Sequence, residues 1–186
     1  LKMTKPHILE GWDLFITLKK EINLAKFFLI FIILVHSLVL TKLIFFPYPE
    51  LFVYPYLTNN GLKPYQQILD QHFPGLLFLP INFDNLGMTT PEAARGWLVA
   101  IVVVTHFLLY AVGVKLFKDK RRVLALNIFY LVWQPFFEGW ILWIDSFLPL
   151  ILLLTLYFLL KGRKFLFAGG LSLGLGIVFK QVLIPL

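Results

Sequence analysis

The sequence predicts an all-α integral membrane protein, a polytopic bundle of about five transmembrane helices with a long extracytoplasmic first loop that contains short helices. Three observations predict it. Hydrophobic residues make up 59% of the chain and aromatic residues 17%, and the mean hydropathy of +0.82 exceeds what a soluble domain buries. Windows of about 20 mostly apolar residues recur, the number that a hydrocarbon core of about 30 Å requires at about 1.5 Å per residue. The ten-residue alternation of a membrane barrel, at roughly that length per strand, is absent, which leaves helices as the way to satisfy backbone groups in lipid.

Spans are expected from Phe27 to Phe46, Trp97 to Phe117, Val123 to Trp140, Ile141 to Leu160, and Phe165 to the end. Ahead of them, Ile8, Leu9, Trp12, Phe15 and Ile16 recur at helical spacing, so residues 1–26 read as a cytoplasmic amphipathic segment and residues 27–186 as the membrane domain. The first apolar run is too long for a signal-peptide core, no small-residue cleavage pattern follows it, and it is expected to stay as an anchor. Little more than WQPFFEGW separates the third and fourth spans, which predicts an antiparallel hairpin anchored at the interface by Trp133, Trp140 and Trp143. Asp145 is expected to cap the fourth helix, with Pro149 in its first turn. In the fifth span AGGLSLGLG sets Gly170 and Gly174 four apart, a face that lets another helix approach closely. Because the chain reaches Leu186 inside its fifth apolar run, it is expected to be the N-terminal half of a longer protein.

Charge placement orients the bundle, since short loops rich in Lys and Arg stay in the cytoplasm. Lys19, Lys20 and Lys26 precede the first span; Lys118, Lys120, Arg121 and Arg122 join the second to the third; Lys161, Arg163 and Lys164 join the fourth to the fifth. The loop 47–96 carries Glu50, Asp70, Asp84 and Glu92 against Lys63 and Arg95, and the turn between the third and fourth spans holds Glu138 and Asp145. A multi-pass protein of the plasma membrane follows, with its N-terminus inside and its polar loop outside. The net charge of +7 does not point to nucleic acid, because the basic groups gather at helix ends beside anionic headgroups. Absence of cysteine excludes thiol catalysis and disulfides.

Residues 49–75, PELFVYPYLTNNGLKPYQQILDQHFPG, concentrate the polar chemistry: Glu50, Asp70 and His72 with Tyr54, Tyr56 and Tyr65. The order of a basic N-terminus, one span, an acid, Gly-x-x-Pro-Tyr at 61–65 and Asp-x-His-x-Pro-Gly at 70–75 resembles the polyprenyl-phosphate-dependent glycosyltransferases of the C-type fold, in particular the protein mannosyltransferase and aminoarabinose transferase superfamily. Arg95 matches an Arg at the end of that family's first loop. Downstream, Asp145, the basic turn 161–164, the Gly169–Gly176 run and Lys180 fit the family's order of an outer Asp, a basic turn and a Gly-rich helix ending in Lys. The chain has Pro49-Glu50 where many relatives have paired acids, and Phe73-Pro74 where they have two prolines.

The resemblance implies an enzyme that moves a sugar from a polyprenyl-phosphate donor to a glycan, lipid or protein acceptor at the extracytoplasmic face. It implies Glu50 and Asp145 as catalytic residues, Glu50 being the base that activates the acceptor. Tyr65, Asp70, His72, Arg95 and Lys180 are implied as substrate-binding residues, the cationic ones meeting the charge that builds on the leaving phosphate. Each has a plainer alternative: a hydrated carboxylate at Glu50, a helix cap at Asp145, an interfacial anchor at Arg95, a snorkelling side chain at Lys180. Asp70 and His72, with Glu50 and Asp145, offer donors suited to a divalent cation, the one cofactor entertained, although an i, i+2 pair on a loop defines no geometry. His36 and His106 fall inside the first two spans, where hydrogen bonding to neighbouring helices outranks a proton relay. The competing classes are a transporter and a noncatalytic membrane assembly subunit.

Overall fold

The structure is a computed structural model that describes residues 9–46 and 48–184, with side chains from residue 24 onward. Its elements in order are α1 (Leu9–Lys42), α2 (Pro49–Asn59), α3 (Gly75–Phe78), α4 (Pro91–Leu116), α5 (Lys120–Phe137), α6 (Leu148–Leu160) and α7 (Leu166–Phe179). Single 3-10 turns at Ile144–Phe147, Arg163–Phe165 and Gln181–Leu183 flank the last two helices. Among the described residues there is no strand, only one isolated bridge between Pro64 and Ile68.

α1 is one helix of 34 residues, so the expected surface segment and the first span are continuous. No proline interrupts the stretch. The apolar face expected for Ile8, Leu9, Trp12, Phe15 and Ile16 lies outside the described side chains. α4 starts at Pro91, ahead of the expected Trp97, with Pro91 in the first turn and the Thr90 hydroxyl accepting the Ala93 N–H at 3.2 Å. Among the described residues two helices are long and apolar enough to cross a membrane, Leu24–Lys42 and Pro91–Leu116, while the apolar stretch Ile144–Leu160 is shorter. α6 and α7 have 13 and 14 residues, about 20 Å of helix each.

The antiparallel hairpin expected of the third and fourth spans does not form: α5 and α6 each pack on α4 instead of on one another. α5 ends at Phe137, and α6 begins at Leu148 instead of near Ile141. The chain folds back so tightly at Gly139 that a Cβ there would lie 2.5 Å from the Pro135 Cα, a fit open only to glycine. The Trp140 carbonyl accepts the Phe46 N–H at 2.8 Å, which ties this segment beside the end of α1. Asp145 therefore falls inside the 3-10 turn and caps nothing: the N-cap of α6 is Phe147, without a side-chain bond.

The small-residue face of α7 also differs from expectation. Gly169, Ser172 and Gly176 are buried, and a Cβ on Gly176 would meet Leu183 Cδ1 at 2.7 Å and Ile151 Cγ2 at 2.8 Å. Gly170 and Gly174 have open space around them. Close approach to α6 thus uses the 169/172/176 stripe, the i, i+3, i+7 spacing of one helix face.

α4 packs against α1, α5 and α6, and α7 packs on α6. Side chains such as Phe31, Leu34, Phe129, Phe136 and Phe167 point outward in the open, an apolar exterior opposite to that of a soluble bundle. Polar groups turn inward instead. His36, His106 and Asn127 are wholly buried, and His36 Nδ1 lies 2.8 Å from His106 Nε2. His106 Nδ1 donates to Asn127 Oδ1 at 2.9 Å, Asn127 Nδ2 donates to the Val123 carbonyl at 2.9 Å, and Gln134 Oε1 sits 2.9 Å from His36 Nε2. If the Gln134 amide turns its NH₂ to His36, every link has one donor and one acceptor with both rings neutral. The two histidines are thus a satisfied cross-link between α1, α4 and α5.

At the other end of these helices the core closes under the segment 43–90. Leu51, Leu77, Phe83, Met88, Leu98 and Ile144 come together there, all at 1% exposure or less. This packing is the floor of the candidate site.

Candidate functional site

Above that floor lies a cavity of about 640 Å³ whose polar lining is Glu50, Tyr54, Asp70, Gln71 and His72, with Tyr48 and Trp143 as aromatic walls. Glu50 stands in the first turn of α2, just after Pro49. Its Oε2 is buried and has no hydrogen-bond partner among the described residues. Tyr54, one turn on, shares its face of the helix and stacks on Phe78 with ring centroids 5.9 Å apart. Burial raises the Tyr54 phenol above its ordinary value, and the Asp70 and Glu50 charges raise it further, so both carboxylates act on one hydroxyl.

Asp70 and His72 form a dyad. Asp70 Oδ1 accepts both the backbone N–H and the ring Nδ1–H of His72 at 2.6 Å, and the Asp70 side chain is 6% exposed against 20% for His72. The carboxylate fixes the ring's tautomer and leaves Nε2 as the reactive nitrogen. Trp143 meets the imidazole edge to face at 5.5 Å. Tyr65 is drawn into the same arrangement from behind: its hydroxyl donates to the His72 carbonyl at 2.8 Å. Its φ of 62° is left-handed, a conformation that costs a non-glycine residue about 1 kcal/mol or more. Tyr65 thus buttresses the loop that holds His72.

A second charged group adjoins this cavity. Lys180, the residue that ends α7, donates its Nζ–H to Asp145 Oδ1 at 2.5 Å. Asp145 lies two residues beyond Trp143, and Gln181 Nε2 donates to the Gln71 carbonyl at 3.4 Å, joining the end of α7 to the Asp70–His72 loop. Glu138 belongs to this group as well. Burial pushes its carboxyl above the usual range, the Asp145 charge adds to that, and the Lys180 ammonium opposes it.

Of the residues expected to act together, Glu50, Asp70 and His72 line one cavity, Tyr65 supports it, and Asp145 and Lys180 pair beside it. Arg95 is apart. Its Nη1 donates to the Thr41 carbonyl at 2.8 Å at the end of α1, its guanidinium lies 5.4 Å from the Phe45 ring centroid, and it lines a separate cavity with Pro91 and Glu92. A cation there satisfies the last carbonyls of α1. Sequence reasoning missed Tyr48 and Trp143 as walls and Glu138 as the third charge beside Lys180. The adjacency of Tyr48 to Pro49-Glu50 was the only local signal for the first of these.

Among the described residues no three His, Asp or Glu side chains converge as a metal shell, and Asp70 Oδ1 is already occupied by His72. Compared with protein-family models, curated proteins and solved structures, the chain matches none.

Proposed function

We propose that this chain forms the active-site end of a membrane glycosyltransferase that uses a polyprenyl-phosphate-linked sugar, with about five membrane spans and its cavity on the extracytoplasmic face of the plasma membrane. The observation that carries the reading is the buried, unpartnered carboxylate oxygen of Glu50 sharing one cavity with the Asp70–His72 dyad. A carboxylate held in that way is a proton acceptor waiting for a donor.

In the proposed reaction an acceptor hydroxyl in the cavity gives its proton to Glu50 as its oxygen bonds to the anomeric carbon of the sugar. The bond from that carbon to the phosphate oxygen breaks, and its electron pair leaves with the polyprenyl phosphate. Negative charge on the departing phosphate is met by the Lys180 ammonium, with the His72 ring held against Asp70 beside it. Asp145 holds Lys180 in position, and Tyr48, Tyr54 and Trp143 offer aromatic faces to the sugar. Inversion at the anomeric carbon is the outcome of such a single displacement.

The test is sugar transfer by the protein reconstituted in proteoliposomes with a polyprenyl-phosphate sugar and an acceptor. Glu50→Gln is expected to lower the rate on the order of 10²-fold or more, the range of a general base. Transfer at the unmodified rate would remove Glu50 from the chemistry. Solute uptake indifferent to lipid-linked sugar would instead favour a transporter, and absence of both activities with an intact membrane complex would favour an assembly subunit.

A further inference from the structure

At the end of the bundle opposite the Glu50 cavity, α1 and α5 leave a cleft with two joined parts. The first is a cavity of about 620 Å³ ringed by Lys118, Lys120 and Arg121 over Leu24 and Phe28. The second is a groove of about 540 Å³ that continues along both helices between Phe31 and Val35 on one side and Ile128 and Leu131 on the other. Phe28, Arg121 and Leu124 line both, so the basic mouth opens directly into the apolar channel.

The acid in the mouth is engaged elsewhere. Asp119 Oδ1 accepts the Arg121 backbone N–H at 2.9 Å as the cap of α5, and Oδ2 faces Arg122 Nε at 3.8 Å. Among the side chains described, those from residue 24 onward, no carboxylate lies within 4.0 Å of the Lys118, Lys120 or Arg121 side-chain nitrogens. The groove walls are unpartnered too: Phe28, Phe31 and Ile128 are 45%, 56% and 49% exposed.

We infer that this cleft binds one anionic phospholipid, its phosphate held by Lys118, Lys120 and Arg121 and one acyl chain laid in the groove. Charge complementarity selects the headgroup and the apolar channel selects an amphiphile over a free anion or a nucleic acid, which has nothing to put there. Length agrees. From Arg121 to Leu131 is ten residues of helix, about 15 Å, or half of a hydrocarbon core of about 30 Å, the depth of one leaflet. This site needs a membrane around the protein but stands independently of sugar transfer.

The test is native mass spectrometry of the full chain released from mixed micelles containing equal phosphatidylglycerol and phosphatidylcholine. Phosphatidylglycerol is expected to be retained at least tenfold over phosphatidylcholine. Replacing Lys118, Lys120 and Arg121 with Gln should weaken it roughly fivefold for each charge removed. Ile128→Trp, which fills the groove and leaves the charges in place, should also release it. Arg163→Gln with Lys164→Gln, at the other basic turn, should leave retention unchanged, as should millimolar inorganic phosphate. Equal retention of the two lipids, undiminished retention in the Lys118/Lys120/Arg121 variant, equal loss in the Arg163/Lys164 control, or displacement by inorganic phosphate alone would each overturn the assignment.

Discussion

The Asp145–Lys180 pair allows the sharpest test of how the candidate site is held together. Its 2.5 Å contact is half in and half out of water, the Lys180 side chain being 27% exposed and the Asp145 side chain 34%. Fully exposed pairs contribute about 0–1 kcal/mol, and breaking a fully buried one costs about 3–5 kcal/mol. A coupling of about 1–2 kcal/mol is expected for this geometry, discounted from the buried limit for solvent screening. The perturbation is a double-mutant cycle of Asp145→Asn and Lys180→Met, read by denaturant unfolding in lipid nanodiscs. Glu138 supplies a second readout with opposite signs. Removing the Asp145 charge takes away a repulsion and should lower the Glu138 pKa, whereas removing Lys180 takes away an attraction and should raise it. Infrared titration of the Glu138 carboxyl measures both shifts. Additive single variants, within about 0.3 kcal/mol, or Glu138 shifts of the same sign in the two variants, would refute the three-charge cluster.

Glu138→Gln should stabilise the fold at neutral pH. Because the folded pKa is raised, stability from this group is fully present below the ordinary value of 4.5 and is lost as pH rises through the folded value, so the benefit of Gln should vanish under acid unfolding near pH 4. Asp70→Ala should free the His72 ring and lower sugar transfer tenfold or more, roughly the lower end of acid–base effects, and should cost about 1–3 kcal/mol in equilibrium unfolding because the His72 backbone N–H loses its acceptor. His106→Leu should strand His36 Nδ1–H and Asn127 Oδ1, each an orphan worth about 1–3 kcal/mol in equilibrium unfolding. Gly176→Ala should destabilise by about 1–3 kcal/mol through its contacts with Leu183 and Ile151, while Gly174→Ala, in open space, should be neutral or stabilise by up to about 1 kcal/mol in the same assay.

The apolar runs were legible in the sequence, but helix starts are set by local caps that an apolar window does not weigh. Thr90 with Pro91 and Asp119 before Lys120 start α4 and α5 ahead of the expected Trp97 and Val123, and α1 runs unbroken from Leu9 where a separate surface segment was expected. The start of α6 was not legible, because it is decided by a non-local bond from Phe46 to Trp140 and by the closure of Gly139 on Pro135. Asp145 before an apolar run reads as a cap in one dimension. In three dimensions a lysine 35 residues away takes the carboxylate instead, since a charge-assisted bond to an ammonium outcompetes a bond to a neutral backbone N–H. The glycine face was misjudged for a related reason. Four-residue spacing marks a close-packing stripe only once the partner's direction is known, and α6 meets α7 on the side of Gly169 and Gly176.

The site itself was half legible, and the half that was follows from chain proximity. Asp70 and His72 are two residues apart, and Glu50 and Tyr54 are a helical turn apart, so their pairings need only local structure. Joining those two pairs across one cavity needs α2 to pack its Leu51 face on the core that α4 and Ile144 complete, which no spacing encodes. Arg95 marks the limit in the other direction. Its place at the loop's end matched an expected order, but a guanidinium one turn into α4 lies beside the C-terminus of α1, and that helix end's carbonyls hold it there. In the proposed reaction the cation for the leaving phosphate comes instead from the end of α7, where Lys180 is held in place by the same carboxylate that perturbs Glu138. Loss of either charge partner should be felt at the other two, whereas changing Arg95 should be felt only where α1 meets α4.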